Sequence, residues 1–422
     1  MKSGEIELYQ APRGTSDILP QEQLYWRYVE QKVVNTCHLY GYERIDVPAF
    51  EDARLFTHSV GQETDIVEKE MYTFKDRGGN KITLIPEGTA SICRAYVEHG
   101  MHNLSQPVKL YYITSVFRYE RPQAGRYRQH HQFGYEVIGD DDPALDAEVI
   151  NMAWQFFRSL NLHHLVLSLN SIGCKACRSG YLTTLRDYYA HHTNELCSDC
   201  KTRLERNPLR LLDCKKRSCQ PIADSASRST DHLCRQCDEH FNQLKKYLDL
   251  LKLPFAVNHR LVRGLDYYTR TVFEVHPEAE GAQSTLGGGG RYADLIKELG
   301  GKPTPAIGFA AGVERIILNL KNQNVFVPPL SRPQVFIAYL GNEAGDESIK
   351  LASRLRQAGI GVIAATGSRS LKAQLRQANA IGVRHTVIIG DQEIKTGTVI
   401  LRDMDNAQQE TVSLTQLKEL LK

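Results

Sequence analysis

Apolar and polar positions along this chain switch repeatedly between a helical and an alternating period, and each switch marks an element. Residues 21–40 place apolar side chains at helical spacing and stop at Gly41. Residues 42–48 then alternate and close on Pro48, which reads as a strand. Residues 81–85 read as a second strand, and Pro86-Glu87-Gly88-Thr89-Ala90-Ser91 turns from it into a helix. Residues 110–119 and 130–139 read as two strands joined by a loop that carries Arg121, Arg126 and Arg128. Residues 146–160 read as a helix, and residues 164–169 and 271–275 as further strands.

From Cys174 onward the character changes. Charged helical segments alternate with cysteine pairs, and glycine is scarce. This stretch, residues 170–252, reads as an insertion within a main domain of residues 1–326. Val327-Pro328-Pro329-Leu330-Ser331-Arg332-Pro333 is a stiff linker. Beyond it, residues 334–340, 346–357, 360–364, 371–380 and 384–389 run strand, helix, strand, helix, strand. That order predicts a small α/β domain, residues 332–422, with a mostly parallel sheet.

A chain of 422 residues is too long for one ordinary core, which agrees with this division. Its 41% apolar and 24% charged residues are those of a globular protein. No apolar run approaches the length of a membrane span, and residues 1–20 lack the apolar core of a signal peptide. A cytoplasmic protein with no membrane partner is expected. The net charge of +3 permits local basic patches but does not demand them.

Several blocks carry chemistry. The run Leu261-Val262-Arg263-Gly264-Leu265-Asp266-Tyr267-Tyr268-Thr269-Arg270 has too many polar groups for a core strand and too many aromatics for a solvated loop. Polar and aromatic groups converging at a strand end suit a small-molecule site. On the strand at 130–139, Gln132, Gly134 and Glu136 share one face. With Arg118 on the partner strand they could hold a zwitterion, or form a solvated face of salt bridges. Thr89 and Glu87 could cap a helix, or Glu87 could accept hydrogen bonds from an ammonium group. Gly287-Gly288-Gly289-Gly290-Arg291-Tyr292 admits a close backbone approach, or is a flexible loop. Arg315, after the block from Ala306 to Glu314, could clamp a triphosphate. Neither a phosphate-binding lysine loop nor a dinucleotide glycine motif is present, so a nucleotide site would be of another kind.

Eight of the ten cysteines lie between Cys174 and Cys237. In a reducing compartment such clustering suggests metal before disulfides. Cys174, Cys177, Cys197 and Cys200 have the spacing of a four-thiolate zinc site, and Cys214, Cys219, Cys234 and Cys237 could make a second. Reduced buried cysteines, or an interleaved pairing, are the alternatives. Zinc contributes about 10–16 kcal/mol in finger peptides, enough to fold a module with little apolar core.

Taken together, these blocks resemble the class II aminoacyl-tRNA synthetases, and among them the histidyl-tRNA synthetases. Asp46-Val47-Pro48 is similar to motif 1, which in the family ends at a dimer-interface proline. Phe117-Arg118-Tyr119-Glu120-Arg121-Pro122-Gln123 through Glu136 is similar to motif 2. Gly308 to Arg315 is similar to motif 3. Arg263 to Thr269 and Gly288 to Tyr292 resemble the two histidine-specific motifs. Tyr292-Ala293-Asp294 departs from the usual Tyr-Asp-Gly, and His130 stands where an aromatic is common. The insertion is richer in cysteine than most relatives.

The resemblance implies an α+β catalytic domain over residues 1–326, built on an antiparallel class II synthetase sheet of six strands. The helical Cys-rich module of residues 170–252 would interrupt it. Residues 332–422 would be an anticodon-binding α/β domain, and the assembly a homodimer. It further implies a histidine site of Glu87, Gly88, Thr89, Gln132, Glu136, Arg263, Tyr267 and Tyr268. There Glu87, Thr89 and Gln132 would hold the α-ammonium, and Glu136 and Tyr268 the two imidazole nitrogens. Arg118 and Arg315 would hold the α- and γ-phosphates of ATP, which Mg²⁺ accompanies. Arg263, with Arg118, would carry the catalytic charge stabilisation. Arg121, Gln123 and Arg126 would meet the acceptor end of tRNA-His.

The implied chemistry is self-consistent. Adenylation is an in-line displacement that needs positioning and fixed charge, not a protein nucleophile. Two other readings remain at this point. One is the histidine-sensing regulatory subunit of ATP phosphoribosyltransferase, which shares the fold but lacks the C-terminal domain and has a degraded Arg-Gly-Leu-Asp-Tyr-Tyr block. The other is a zinc-bearing nucleic-acid-binding module, which explains only the cysteines.

Overall fold

In the computed structural model, residues 8–59, 66–120, 127–278, 285–367 and 369–421 are described. Residues Met1–Val327 and Pro328–Lys422 form two compact units. The first runs α1 (Gln23–Leu39), β1 (Glu43–Arg44), β2 (Phe50–Asp52), α2 (Ala53–Ser59), β3 (Thr73–Lys75), β4 (Lys81–Leu84), α3 (Thr89–Glu98), β5 (Val108–Phe117), β6 (Gln129–Ile138), α4 (Pro143–Ser159) and β7 (Leu165–Ser171). The insertion supplies α5 (Lys175–Ala190), α6 (Ser198–Arg206), α7 (Gln220–Asp224) and α8 (Arg235–Leu250). The unit closes with β8 (Ala256–Val257), β9 (Tyr268–Pro277), β10 (Gly287–Tyr292), α9 (Leu295–Glu298), β11 (Ala306–Gly312) and α10 (Val313–Asn322).

Local chemistry sets several boundaries. Helix α1 stops at Gly41, whose φ of +73° suits a residue without a Cβ. Asp142 opens α4 by accepting from the N–H of Ala144, and Pro143 stands first in the helix, where its missing N–H costs nothing.

Among the described residues the main sheet has the order β1-β5-β6-β11-β10-β9-β7-β8. Its six central strands are antiparallel, as expected for the family. A two-residue parallel strand extends each edge, so the whole sheet is mixed. The strand expected over residues 42–48 shrinks to Glu43–Arg44, with one further bond from Ile45 N–H to the Tyr111 carbonyl at 2.9 Å. Pro48 cannot donate, and the ladder ends before it. Strands β2, β4 and β3 form a small second sheet.

The two faces of the main sheet bury different things. Phe133, Tyr135 and Val137 of β6 join a core with α1, α4, α8 and α10. The opposite face carries Gln132, Gly134 and Glu136, as the alternation predicts. Tyr112, Tyr268 and Tyr292 pack on that side with insertion residues such as Tyr181, Leu185 and Tyr189. The insertion therefore shares both cores of the unit and is not the self-contained module with little apolar core that its composition suggested.

The glycine run is the clearest surprise. It is not a loop: Gly287–Tyr292 is a fully buried strand between β9 and β11. A Cβ on Gly289 would stand 2.0 Å from the carbonyl oxygen of Gly308. Steric pressure from both neighbours, not flexibility, requires glycine here.

The second unit forms β12 (Val335–Tyr339), α11 (Asn342–Gln357), β13 (Val362–Ala364), α12 (Leu371–Ile381), β14 (His385–Ile389), α13 (Asp391–Thr396), β15 (Thr398–Asp403), β16 (Gln409–Ser413) and α14 (Leu417–Leu420). Strands β13, β12 and β14 are parallel, and β15 and β16 add an antiparallel hairpin that the periodicity did not announce. The sheet is mixed rather than mostly parallel. No described helix is long and apolar enough to cross a membrane.

Substituting Gly289→Ala should lower unfolding stability by about 1–3 kcal/mol, because backbone on β11 must yield. A urea melt followed by circular dichroism checks this. An unchanged midpoint would mean that the strand relaxes freely.

Candidate active site

Register across the main sheet creates the site. One row runs Tyr112, Gly134, Ala310, Gly288, Glu274, and the next runs Leu110, Glu136, Gly308, Gly290, Val272. Between Glu136 on one side and Glu274 on the other, the floor is made of residues with no side chain or a methyl group. A trough opens where larger residues would close it. A Cβ on Gly308 would stand 1.7 Å from Glu136 Oε2, so the carboxylate lies directly on this strand.

Glu136 is 1% exposed and holds two hydroxyls. Thr89 Oγ1 donates to its Oε1 at 2.8 Å, and Tyr292 Oη donates to its Oε2 at 2.7 Å. Burial pushes its pKa up to about 8, against the lowering effect of these two bonds, and the nearby Glu87 carboxylate adds to the rise. Glu87 is buried too, and its pKa is raised by burial. Its two oxygens accept the free N–H groups of Thr89 and Ala90, both at 2.8 Å, and so cap α3. The Gly88 N–H donates to Gln132 Oε1 at 2.9 Å. Tyr267 and Tyr268, also buried, lie with ring centroids 4.6 Å apart. Glu87, Gly88, Thr89, Gln132, Glu136 and the two tyrosines thus come together as a buried polar cluster.

Beside it lies a cavity of about 790 Å³, whose wall includes Arg118, Gln132, Arg263, Arg315, Gly287 and Gly288. Gln132 and Arg263 link the two regions. Arg118 Nε donates to the Pro86 carbonyl at 2.9 Å, and Arg315 Nη1 to the Thr285 carbonyl at 3.1 Å. Arg263 pairs with Glu274 and stands 5.5 Å over the Tyr268 ring. Burial disfavours its charge, but Tyr268 and Glu274 outweigh this and hold its pKa above the ordinary value. His130 is pushed down to about 3 by burial and by Arg118 and Arg315, which keeps it neutral. Arg118, Arg263 and Arg315 of the catalytic motifs therefore face one cavity, and two carboxylates sit in the buried cluster behind it. Glu136, Glu87, Thr89, Tyr267 and Tyr268 do not line the cavity wall, because they are occupied with one another.

Tyr292 and Glu274 were not singled out from the sequence. The signal for Tyr292 was its position at the end of the glycine block. For Glu274 it was the one acid in its strand, set between Phe273 and Val275. Insertion residues Arg203, Arg210, Lys215 and Lys216 also reach the cavity wall, which no motif indicated. Arg121, Gln123 and Arg126 lie outside the described residues.

The cysteines group differently from the sequence expectation. Cys174, Cys177, Cys234 and Cys237 form one cluster, and Cys197, Cys200, Cys214 and Cys219 the other, each with its sulfurs within 4.8 Å of one another. The expected pairing of Cys174 and Cys177 with Cys197 and Cys200 fails for a simple reason. Helix α5 lies between them, and its 16 residues span about 24 Å.

With this geometry in view, the relatives become informative. The family model described as histidyl-tRNA synthetase matches residues 14–178 and 189–316, and one described as anticodon binding domain matches residues 334–422. The chain belongs to the histidyl-tRNA synthetase family. A histidine–tRNA ligase of Dehalococcoides mccartyi is 60% identical over 410 residues, covering 97% of this chain and 98% of that protein. One from Desulforamulus reducens is 50% identical over 411 residues, covering 97% and 98%. Among solved structures, the apo histidyl-tRNA synthetase of S. aureus superposes with a TM-score of 0.83 at 38% identity, covering 98% of this chain and all of that one. The class II catalytic fold and the C-terminal anticodon-binding domain follow from these matches.

Glu136 also yields a pH prediction for the synthetase. Its folded pKa of about 8 lies above the ordinary 4.5. Its contribution to stability is therefore full at low pH and is lost as pH rises from about 4.5 through about 8. Glu136→Gln has no such loss. The melting temperature of the wild type should fall relative to this variant between pH ~5 and pH ~8.5. Parallel melting curves across that range would show that Glu136 does not titrate there.

Proposed function

We infer that this protein is a histidine–tRNA ligase. It activates L-histidine with ATP to the histidyl adenylate and pyrophosphate, then transfers histidine to the 3′ end of tRNA-His. The observation that carries the reading is the buried Glu136 cluster beside a cavity lined by Arg118, Arg263 and Arg315. The acids of the first region suit a small cationic ligand, and the guanidiniums of the second suit a polyphosphate. Identity of 60% to a named ligase over almost the full chain favours catalysis over the histidine-sensing paralogue.

Residue roles follow from chemistry at named atoms. Glu87, Thr89 and Gln132, with Gly88 beside them, offer acceptors to the α-ammonium of histidine. Glu136 and Tyr268 address the imidazole nitrogens, one as acceptor and one through its hydroxyl, with Tyr267 packed behind. A carboxylate whose pKa is raised by burial gains most when a donor cation arrives. Arg118 and Arg315 grip the α- and γ-phosphates. Arg263 is placed to offset charge as the histidine carboxylate attacks the α-phosphate, and Glu274 fixes its orientation. Pyrophosphate leaves in line with that attack, and no side chain becomes acylated. Mg²⁺ accompanies ATP as its counter-ion, and the carboxylates of Glu120 and Glu274 on the cavity wall are oxygen donors of the kind it prefers.

Residues 1–326 are read as the catalytic domain, residues 170–252 as its insertion and residues 332–422 as the part that meets the anticodon. Arg121, Gln123 and Arg126 are assigned to the acceptor end of the tRNA. A homodimer, through the segment Asp46-Val47-Pro48, and a cytoplasmic location complete the reading. The eight insertion cysteines are read as ligands of structural zinc.

Histidine-dependent exchange of pyrophosphate into ATP tests the reading. Exchange with histidine and none with other amino acids is expected; its absence in folded protein would return the sensing paralogue to the front. Arg263→Ala should lower kcat of that exchange by about 10²–10³-fold and leave histidine binding nearly unchanged. A normal kcat would remove Arg263 from the reaction. Glu136→Gln should lower kcat/KM for histidine about 10- to 100-fold and erode the preference for it over other amino acids. Unaltered selectivity would refute the imidazole contact.

A further inference from the structure

The sulfur geometry of the insertion fits a particular ion. Sγ–Sγ separations are 3.7 Å for Cys174–Cys177, 3.9 Å for Cys174–Cys234, 3.9 Å for Cys177–Cys237 and 3.9 Å for Cys197–Cys214. Four thiolates at tetrahedral corners, each ~2.3 Å from one zinc, stand about 3.8 Å apart. Disulfide sulfurs would be ~2.05 Å apart.

A second observation is independent of that spacing. Cys174, Cys197, Cys219 and Cys234 each stand immediately before a helix, α5, α6, α7 and α8 respectively. Cys177, Cys200 and Cys237 lie in the first turns of three of these helices. Helix starts present unpaired N–H groups and positive potential, which favour thiolate over thiol. The Cys174 N–H points to Cys177 Sγ at 3.2 Å, and the Cys197 N–H to Cys219 Sγ at 3.3 Å. All four corners of each cluster are protein sulfur, so an ion there has no open position for substrate.

Both clusters adjoin the segment that carries Arg263 and Tyr268. At its far end, Arg178, one residue beyond Cys177, donates to the Tyr268 carbonyl at 2.6 Å and to the Gly173 carbonyl at 3.2 Å. Gly173, just before Cys174, also accepts from Thr269 Oγ1 at 3.2 Å and from the Arg270 N–H at 3.0 Å. At its near end, Arg260 donates to the Leu212 carbonyl at 3.2 Å and the Cys214 carbonyl at 3.4 Å, and pairs with Asp224 at 2.8 Å. Asn207 reaches Asp266 at 2.8 Å.

We propose that the insertion holds two structural zinc ions in nested tetra-thiolate sites, and that the pair clamps the two ends of the loop from Arg260 to Arg270. The first site takes Cys174, Cys177, Cys234 and Cys237, and the second takes Cys197, Cys200, Cys214 and Cys219. The clamping role rests on the reading of that loop as part of the histidine site; the metal sites themselves do not.

Metal analysis of the full-length protein, purified without chelator, should find two zinc per chain. Iron in their place, or no bound metal, would overturn the proposal. Two double variants then test the nesting. Cys174→Ser with Cys234→Ser should lose one zinc, whereas Cys174→Ser with Cys197→Ser should lose both. Pairing of neighbours in sequence predicts the reverse. Should the variants fail to fold, the wild type decides. Zinc withdrawn by chelator added in steps should expose thiols to alkylation in two groups of four with the membership given above; any other grouping would overturn it.

For the clamp, the one-zinc variant lacking the first site should show a histidine KM raised by about 10-fold or more, with the KM for ATP changed far less. A histidine KM unchanged from the wild type, or KM values raised alike for both substrates, would reject the clamp while leaving the zinc count standing. Failure of histidine activation in the two-zinc wild type would instead strike the functional reading.

Discussion

A side-chain-free strip across the middle of the main sheet is the constraint on which the site depends. Glu136 can lie flat on β11 only because Gly308 has no Cβ, and β10 can fit between its neighbours only because Gly289 has none. On the groove face, antiparallel register sets Gly308 beside Gly290 and, in the next row, Gly134 beside Ala310 and Gly288, while Gly289 lies on the opposite face beside Phe309. Central strands normally bury bulky residues on both faces. Here the face toward α1, α4 and α10 does so with Phe133, Tyr135 and Phe309, while the other face is left thin. The hydrophobic core on one side thus supports a groove on the other.

Charge is distributed along that groove in a way that matches a bipolar ligand pair. Two buried carboxylates stand at one end and three arginines toward the other. Glu136 is stabilised by two hydroxyls with no cation beside it, and Glu87 by helix N–H groups with a smaller contribution from Arg118. Such an arrangement leaves the acids under-compensated until a ligand supplies positive charge, and it leaves the guanidiniums facing a space where negative charge can be accepted. In the low-dielectric surroundings of β6 and β11 these interactions are worth more than they would be in water.

Much of this could be read from the chain. The shared face of Gln132, Gly134 and Glu136 follows from strand alternation, and the helix after Glu87 from its turn chemistry. The run from Arg263 to Tyr268 is dense enough in polar and aromatic groups to mark a site unaided. What stayed hidden depended on contacts distant in sequence. Four glycines in a row look like a loop until two strands press on them. Tyr292 looks like the end of that run until Glu136 is opposite its hydroxyl. Cysteine spacing suggests neighbours in sequence, but a helix of 16 residues keeps them apart. The edge strand β8 is two residues long, too short for any periodicity to register.

The buried charge at the back of the sheet bears on how the insertion relates to the domain that houses it. Arg291 of β10 pairs with Asp146 of α4 at 2.5 Å, and both are nearly inaccessible. Thr271 donates to the same carboxylate at 2.6 Å, and His240 of α8, held neutral by burial and by Arg291 and Arg270, packs 3.5 Å from it. Helix α8 also carries Phe241, Leu244 and Leu248 into the main core. Removing the insertion would therefore open the lid over a buried ion pair and hydrate it, as well as strip apolar contacts. Although it interrupts the main domain in sequence, the insertion is tied into that domain's core through α8, which both fills the core and covers the buried charge.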